Sequence, residues 1–256
     1  MLLAVDIGNT ETTMGVFEGE ELKATWHTAT VVHRTADELA VLLSNLMGRY
    51  GLSPSDVREV SLCSVVPQIT PVYIEMFKKH FNIVPLVVAA GIKTGVRICM
   101  DNPKEVGADR IADAVAAHHL YGGPVIVVDL GTATTFDTVS GEGDYLGGAI
   151  APGIFTAAQA MFQRAAMLPH VELARPGRAI GTNTIDAMKS GIVFGYVALV
   201  EGMVARIQRE LGARAKVIAT GGFSELIARE TKVIEEVNPS LTLIGLRLIY
   251  RMNQPA

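Results

Sequence analysis

The chain has 256 residues, 49% of them apolar, enough to bury a large core in one domain or two packed lobes. Its formal charge is −4, and its 22 Lys and Arg are scattered singly or in pairs, which excludes a basic nucleic-acid surface and points to small-molecule or protein partners. No basic leader precedes the first apolar strand and no apolar run is expected to span a bilayer, so neither a secretory signal nor a membrane anchor is expected. Cys63 and Cys99, the 2 cysteines, fit reduced thiols in a cytoplasmic protein better than a disulfide framework.

In chain order, Leu2 to Ile7 reads as a buried strand ending in Asp6-Ile7-Gly8-Asn9-Thr10. Thr12 to Phe17, the turn Glu18-Gly19-Glu20 and a return strand Leu22 to Trp26 predict a hairpin. Thr35 and Glu38 have capping-box spacing ahead of the apolar stripe Leu39, Leu42, Leu43, Leu46 and Met47, and Gly51 stands where a C-terminal cap belongs. Val57 to Val66 predicts a buried strand, Thr70-Pro71 opens a helix to Phe81, and Ile83 to Val88 predicts a further strand. An Ala-rich helix from Asp109 to Tyr121 ends at Gly122-Gly123-Pro124, where a lobe boundary is expected.

Beyond that boundary the opening design returns. Val125-Ile126-Val127-Val128-Asp129-Leu130-Gly131-Thr132-Ala133 repeats apolar strand, Asp, aliphatic, Gly and small polar about half a chain later, a repeat at domain scale. Thr134 to Val139, a polar turn at Ser140 to Gly143 and Tyr145 to Ile150 repeat the hairpin. A long helix is expected from Asn183 or Thr184 to Leu211, with Ile185, Met188, Ile192, Tyr196, Leu199, Met203 and Ile207 on one face. Lys216 to Thr220 is a strand, and Gly221-Gly222 leads into a last pair of helices. Helices following the strand meander in both halves favour mixed α/β layers over an all-β or all-α plan.

A strand that ends in Asp-x-Gly and turns back at once sets backbone N–H groups beside a carboxylate, a geometry suited to phosphate oxygens with a metal ion nearby. Asn9, Thr10, Thr12, Thr13, Thr132 and Thr134 add uncharged donors. One such turn is weak evidence; two that open matched halves point to a polyphosphate held from both sides. No Gly-Lys-[Ser/Thr] follows either turn, so neither is a Walker loop. His118 and His119 are neighbours on a helix and do not face one way, which gives no ligand spacing.

These two turns resemble the phosphate motifs of the acetate and sugar kinase, heat-shock chaperone and actin superfamily, and Gly221-Gly222 resembles its adenosine motif. Asp101-Asn102-Pro103-Lys104-Glu105-Val106-Gly107-Ala108-Asp109-Arg110 and Gly181-Thr182-Asn183-Thr184 are similar to segments of type III pantothenate kinases. The resemblance spans nearly the whole chain and implies a duplicated ribonuclease H-like, actin-like ATPase fold. Its two similar lobes, residues 1–121 and 122–256, would have mixed sheets flanked by helices, with the nucleotide in the cleft between. It implies ATP-dependent phosphorylation of pantothenate, the first step toward coenzyme A, by a cytoplasmic homodimer.

By the same resemblance Asp109 is the base that accepts the substrate hydroxyl proton. Gly107, Ala108, Asp109 and Arg110 surround pantothenate, and Thr184 reaches it across the dimer interface. The nucleotide falls to Asp6, Ile7, Gly8, Asn9, Thr10, Glu11, Thr12, Thr13, Thr132, Gly221 and Gly222, with Mg2+ near Asp6 and K+ or NH4+ at Asp129. A carboxylate that orients the nucleophile suits phosphoryl transfer, and Arg110 suits a substrate carboxylate because its planar fork binds two oxygens at once. From the residues alone, Asp109 and Thr184 are also good helix-start residues. Two departures from the family pattern stand out: Met100 where a substrate-facing aromatic is expected, and Glu11, an extra negative charge inside the first phosphate turn. They leave open a kinase of another small hydroxy acid, or a nucleotide-binding regulator without turnover.

Overall fold

The computed structural model describes residues 1–89, 91–165 and 168–254. Contacts gather them into two units, one made of Met1–Val96, Asn102–Ala116 and the segment from Leu241 onward, the other of Arg97–Asp101 and Ala117–Ser240. The division thus falls inside the Ala-rich helix and not after Tyr121. The last helix joins the first unit because its apolar face is completed there.

In the first unit β1 (Leu2–Ile7), β2 (Glu11–Glu18) and β3 (Glu21–Ala29) form the expected antiparallel meander. Gly19 takes the left-handed conformation (φ +62°) that its tight turn demands. β4 (Glu59–Ser64) and β5 (Leu86–Val87) continue the sheet in parallel, giving the order β3-β2-β1-β4-β5. β5 is shorter than the expected strand over 83–88; Pro85, just ahead of it, has no N–H for a ladder.

α1 (Ala36–Arg49) starts at a complete capping box: the Thr35 hydroxyl accepts the Glu38 N–H at 3.3 Å, and the Glu38 carboxylate accepts the Thr35 N–H at 2.8 Å. Its buried Leu39, Leu43 and Met47 pack on one face of the sheet with Tyr73 of α2 (Thr70–Met76). The single helix expected over 70–81 changes to π geometry at Phe77–Phe81 and stops at left-handed Asn82 (φ +55°).

On β1, β2 and β4 also lies α7 (Leu241–Met252), burying Leu241, Leu243, Leu246 and Ile249. It crosses α3 (Ala108–Tyr121) backbone to backbone, because a Cβ at Gly245 would overlap the Ala112 carbonyl.

The second unit repeats the plan. β6 (Val125–Leu130), β7 (Ala133–Val139) and β8 (Tyr145–Pro152) form the meander, and β9 (Lys216–Thr220) and β10 (Glu236–Val237) add in parallel, giving β10-β9-β6-β7-β8. With the same order and strand sense in both sheets, this is the duplicated ribonuclease H-like, actin-like fold. Two elements lie outside the sequence expectation, α4 (Ile154–Arg164) and β10; α6 (Ser224–Ala228) follows β9 as expected.

α5 (Thr184–Leu211) corrects the expectation that no segment reaches membrane-spanning length: it has 28 residues and is apolar enough to cross a bilayer. Its apolar surface has two sides. Val193, Val197, Val200 and Val204 are buried in the core of this unit, whereas Tyr196, Leu199 and Met203 are half-buried and Ile185 is 47% exposed. Of the stripe expected from the sequence, Met188 and Ile192 are buried in that same core and Tyr196, Leu199, Met203 and Ile207 pack against its edge. That edge is the open side of α5 and borders a groove of about 850 Å³ whose lining includes Met161, Leu168, Thr184, Ile192, Tyr196 and Leu199.

Replacing Gly245 by Ala forces α7 away from Ala112 and is expected to cost about 1–3 kcal/mol, the usual penalty of overpacking. Urea unfolding of G245A with an unchanged midpoint would refute the close crossing.

Candidate active site

β1 is the central strand of the first sheet, so its C-terminal end is flanked on both sides: Asp6 is opposite Thr13 of β2 and Cys63 of β4. Gly8 N–H donates to the Glu11 carbonyl at 3.0 Å and closes the turn. Thr30 pins that turn from the end of β3, its hydroxyl donating to the Gly8 carbonyl at 2.8 Å and lying 2.8 Å from the Thr12 hydroxyl, while its N–H reaches the Thr10 carbonyl at 3.0 Å. Thr12 is fully buried, so it holds the turn from below; Ile7 is a core side chain. Asn9, Thr10 and Glu11 are on the outer surface. The extra charge of Glu11 is engaged: its carboxylate is 2.6 Å from His27 Nδ1, which is also 3.2 Å from the Thr13 hydroxyl.

α3 begins at Ala108 with Gly107 just before it, so Asp109 is in the first turn and is not the cap. Asp109 Oδ1 accepts the Arg110 N–H at 2.8 Å, which fixes the carboxylate rotamer. Asp109 and Arg110 are both half-buried. One turn later Asp113 is buried and accepts the Thr242 hydroxyl at 2.7 Å.

The first unit brings Asp6 and Asp109 into each other's field. Burial, then the negative charge of Asp109, pushes the Asp6 carboxyl up to about 7, against the pull of the Cys63 thiol, which donates to Asp6 Oδ1 at 3.2 Å. Burial raises Cys63 well above the ordinary thiol range, as do the charges of Asp6 and Asp109, so it remains an S–H donor at neutral pH. Two carboxylates that resist sharing a negative charge form a natural cation site once a phosphate ligand supplies further oxygens. Among the described residues no cluster of three or more His, Cys, Asp or Glu is ready-made for a metal.

In the second unit Asp129 ends β6 between Thr135 of β7 and Thr220 of β9. This turn is one residue tighter than the first: Leu130 pairs with Thr134, Ile7 with Thr12. Gly131 N–H donates to the Ala133 carbonyl, Thr132 is exposed, and its carbonyl accepts Gly153 N–H at 3.1 Å and the Thr156 hydroxyl at 2.8 Å, which ties the start of α4 to the turn. Gly221 (φ +86°) runs so close to Asp129 that a Cβ there would overlap Oδ1, so the two sequence motifs meet in space. Asp137, fully buried, accepts the Thr135 hydroxyl at 2.8 Å and the Tyr145 hydroxyl at 2.6 Å, which fixes the residue opposite Asp129. Met100 packs on Gly147 of β8, and Thr184 opens α5 behind the true cap Asn183.

Thr30 and Cys63 are absent from the sequence expectation. Thr30 ends a strand among several threonines, and Cys63 becomes a neighbour of Asp6 only through parallel pairing of β1 and β4. The threonines Thr25 and Thr28 along β3, with Thr30 just after it, carry a faint signal for the first; the second has none.

A family model described as type III pantothenate kinase matches residues 2–206. A type III pantothenate kinase from Dehalococcoides mccartyi (strain ATCC BAA-2266 / KCTC 15142 / 195) is 55% identical over 253 residues, covering 99% of this chain and 98% of the relative. Another, from Moorella thermoacetica, is 52% identical over 253 residues and covers 99% and 100%. Among solved structures, the inorganic polyphosphate/ATP-glucomannokinase from Arthrobacter sp. strain KM aligns over 99% of each chain with a TM-score of 0.52 at 12% identity, a likeness of fold.

Because Asp6 titrates near 7 in the folded chain and near 3.8 when unfolded, the folded state holds the extra proton between those values and loses stability as pH rises through them. Asp6→Asn removes the charge. In EDTA, D6N is expected to gain about 2–3 kcal/mol over the parent between pH 5 and pH 8 in urea titrations. A pH-independent difference would show that Asp6 is not raised.

Proposed function

The chain belongs to the type III pantothenate kinase family, and from that premise we propose how its residues divide the work. The activity is ATP-dependent phosphorylation of pantothenate, the first step of coenzyme A biosynthesis. The observation that carries the assignment of roles is the placing of Asp109, held by Arg110 N–H, within the field of Asp6 at the first phosphate turn.

Asp109 accepts the proton of the pantothenate primary hydroxyl as that oxygen bonds to the γ-phosphorus and the bond to the β-bridging oxygen breaks, releasing ADP. Gly107, Ala108 and Arg110 hold the acceptor, with the Arg110 guanidinium on the pantothenate carboxylate. Backbone groups of the turn from Ile7 to Thr13, pinned by Thr30, take phosphate oxygens, as does Thr132, while the Gly221 backbone stays close against Asp129 and the open space beside Gly222 leaves room for the nucleoside. Mg2+ at Asp6 would neutralise phosphate charge. The fit is the raised Asp6 carboxyl, whose burden a cation relieves. Asp129, half-buried beside the Gly221 backbone, would hold K+ or NH4+.

Two copies are proposed to join along the open side of α5. The groove there has the volume and apolar lining of an incomplete interface, and Thr184 lines it. Thr184 of one protomer would then complete the acceptor site of the other. The proposed compartment is the cytoplasm, where Cys63 and Cys99 stay reduced.

A coupled ADP-release assay with pantothenate, run across K+ and NH4+ concentrations, tests the activity; no turnover under any of them would refute it. Asp109→Asn is expected to lower kcat by about 10²-fold or more with the KM for ATP little changed. Near-normal turnover would remove Asp109 from the role of base.

A further inference from the structure

Phe155 and Phe223 have no part in the roles assigned so far. Phe155, the second residue of α4, is 47% exposed, a large apolar ring facing water. Phe223 is half-buried, one side packed on the core of the second unit. The two rings are nearly parallel, 16° apart in plane with centroids 6.5 Å apart. Paired rings are found with centroids about 4.5–7 Å apart, so this pair is at the loose end of the range and covers little of Phe155.

Both rings are anchored to the same place. Phe223 N–H donates to the Leu130 carbonyl at 3.3 Å, and the residues on either side of Ile154 and Phe155, Gly153 and Thr156, both donate to the Thr132 carbonyl at 3.1 and 2.8 Å. The rings therefore belong to the Gly131-Thr132 turn, and the approach beside Phe223 is open: a Cβ on Gly222 would meet nothing within 4 Å. A nucleotide whose phosphates rest on that turn must put its base within one nucleotide length of it. An exposed aromatic face at that distance suits a base, because every base has a π-face to stack.

We propose that the purine base of ATP stacks on the Phe155–Phe223 ring pair, which thereby sets how strongly this enzyme holds its nucleotide. The inference rests on the assignment of Thr132, Gly221 and Gly222 to ATP and adds to it two residues that contact the base.

The test is Phe155→Ala, an exposed position where truncation leaves the core intact, with Phe155→Trp as the conservative variant. In F155A the KM for MgATP is expected to rise about tenfold, with kcat and the KM for pantothenate within about twofold of the parent, and F155W is expected to restore it. Inhibition by magnesium tripolyphosphate, which has no base, should be the same in parent and F155A. An unchanged KM for MgATP in F155A overturns the proposal, as does tripolyphosphate inhibition that weakens in parallel, since Phe155 would then be acting through the phosphate turn. If F155A changes the oligomeric state by size-exclusion chromatography and leaves the KM for MgATP alone, the exposed ring is a contact between copies of the chain, and the proposal falls. A parent enzyme without ATP turnover removes the nucleotide assignment itself, an outcome that the parent assay separates from the others.

Discussion

The arrangement at the end of β1 depends on keeping a carboxylate where water cannot fully solvate it. Asp6 sits on the central strand of its sheet, flanked by Thr13 and Cys63, and feels the charge of Asp109 from the start of α3. Each element nearby answers that constraint. The thiol of Cys63 supplies a weak donor without a competing charge, Thr30 fixes the turn that follows Asp6, and Arg110 N–H donates to one oxygen of Asp109. A carboxylate raised by burial and by a neighbouring negative charge is how preorganised charge is obtained in a folded chain.

The second unit solves a related problem differently. Its turn is one residue shorter, its carboxylate Asp129 is crowded by the backbone of Gly221, and its neighbour Thr135 is itself held in a buried network through Asp137 and Tyr145. The duplicated fold therefore gives the same strand order twice but two distinct chemical settings. In the first unit the Glu11 carboxylate is held against the His27 ring, so its position within the turn is fixed by a neighbour on β3.

What was legible in the sequence is what neighbouring residues decide. The capping box at Thr35 and Glu38, both hairpins and the two Asp-x-Gly turns follow from local spacing and appear as expected. What was hidden depends on partners far along the chain. Cys63 meets Asp6 through strand register, α7 returns to the first sheet because β1, β2 and β4 need cover, and α5 has two apolar sides that a single helical stripe does not separate. α4 gives little local warning, since its first turn has no acidic residue and its Gly153 cap makes no side-chain bond; the Thr132 carbonyl orders that end of it. The Asp109 region shows both effects, because the motif marks the residue while its place in the first turn, with Gly107 ahead of it, comes from the fold.

The return of α7 has a consequence for how the protein comes off the ribosome. All of the second unit, through Ser240, is translated before α7 exists, whereas the first unit lacks the cover for β1, β2 and β4 until the segment from Leu241 emerges. The half that is made first is finished last. Until then the apolar underside of that sheet stays uncovered, so a released chain that ends shortly before Leu241 has every strand of the second unit and an unfinished first one.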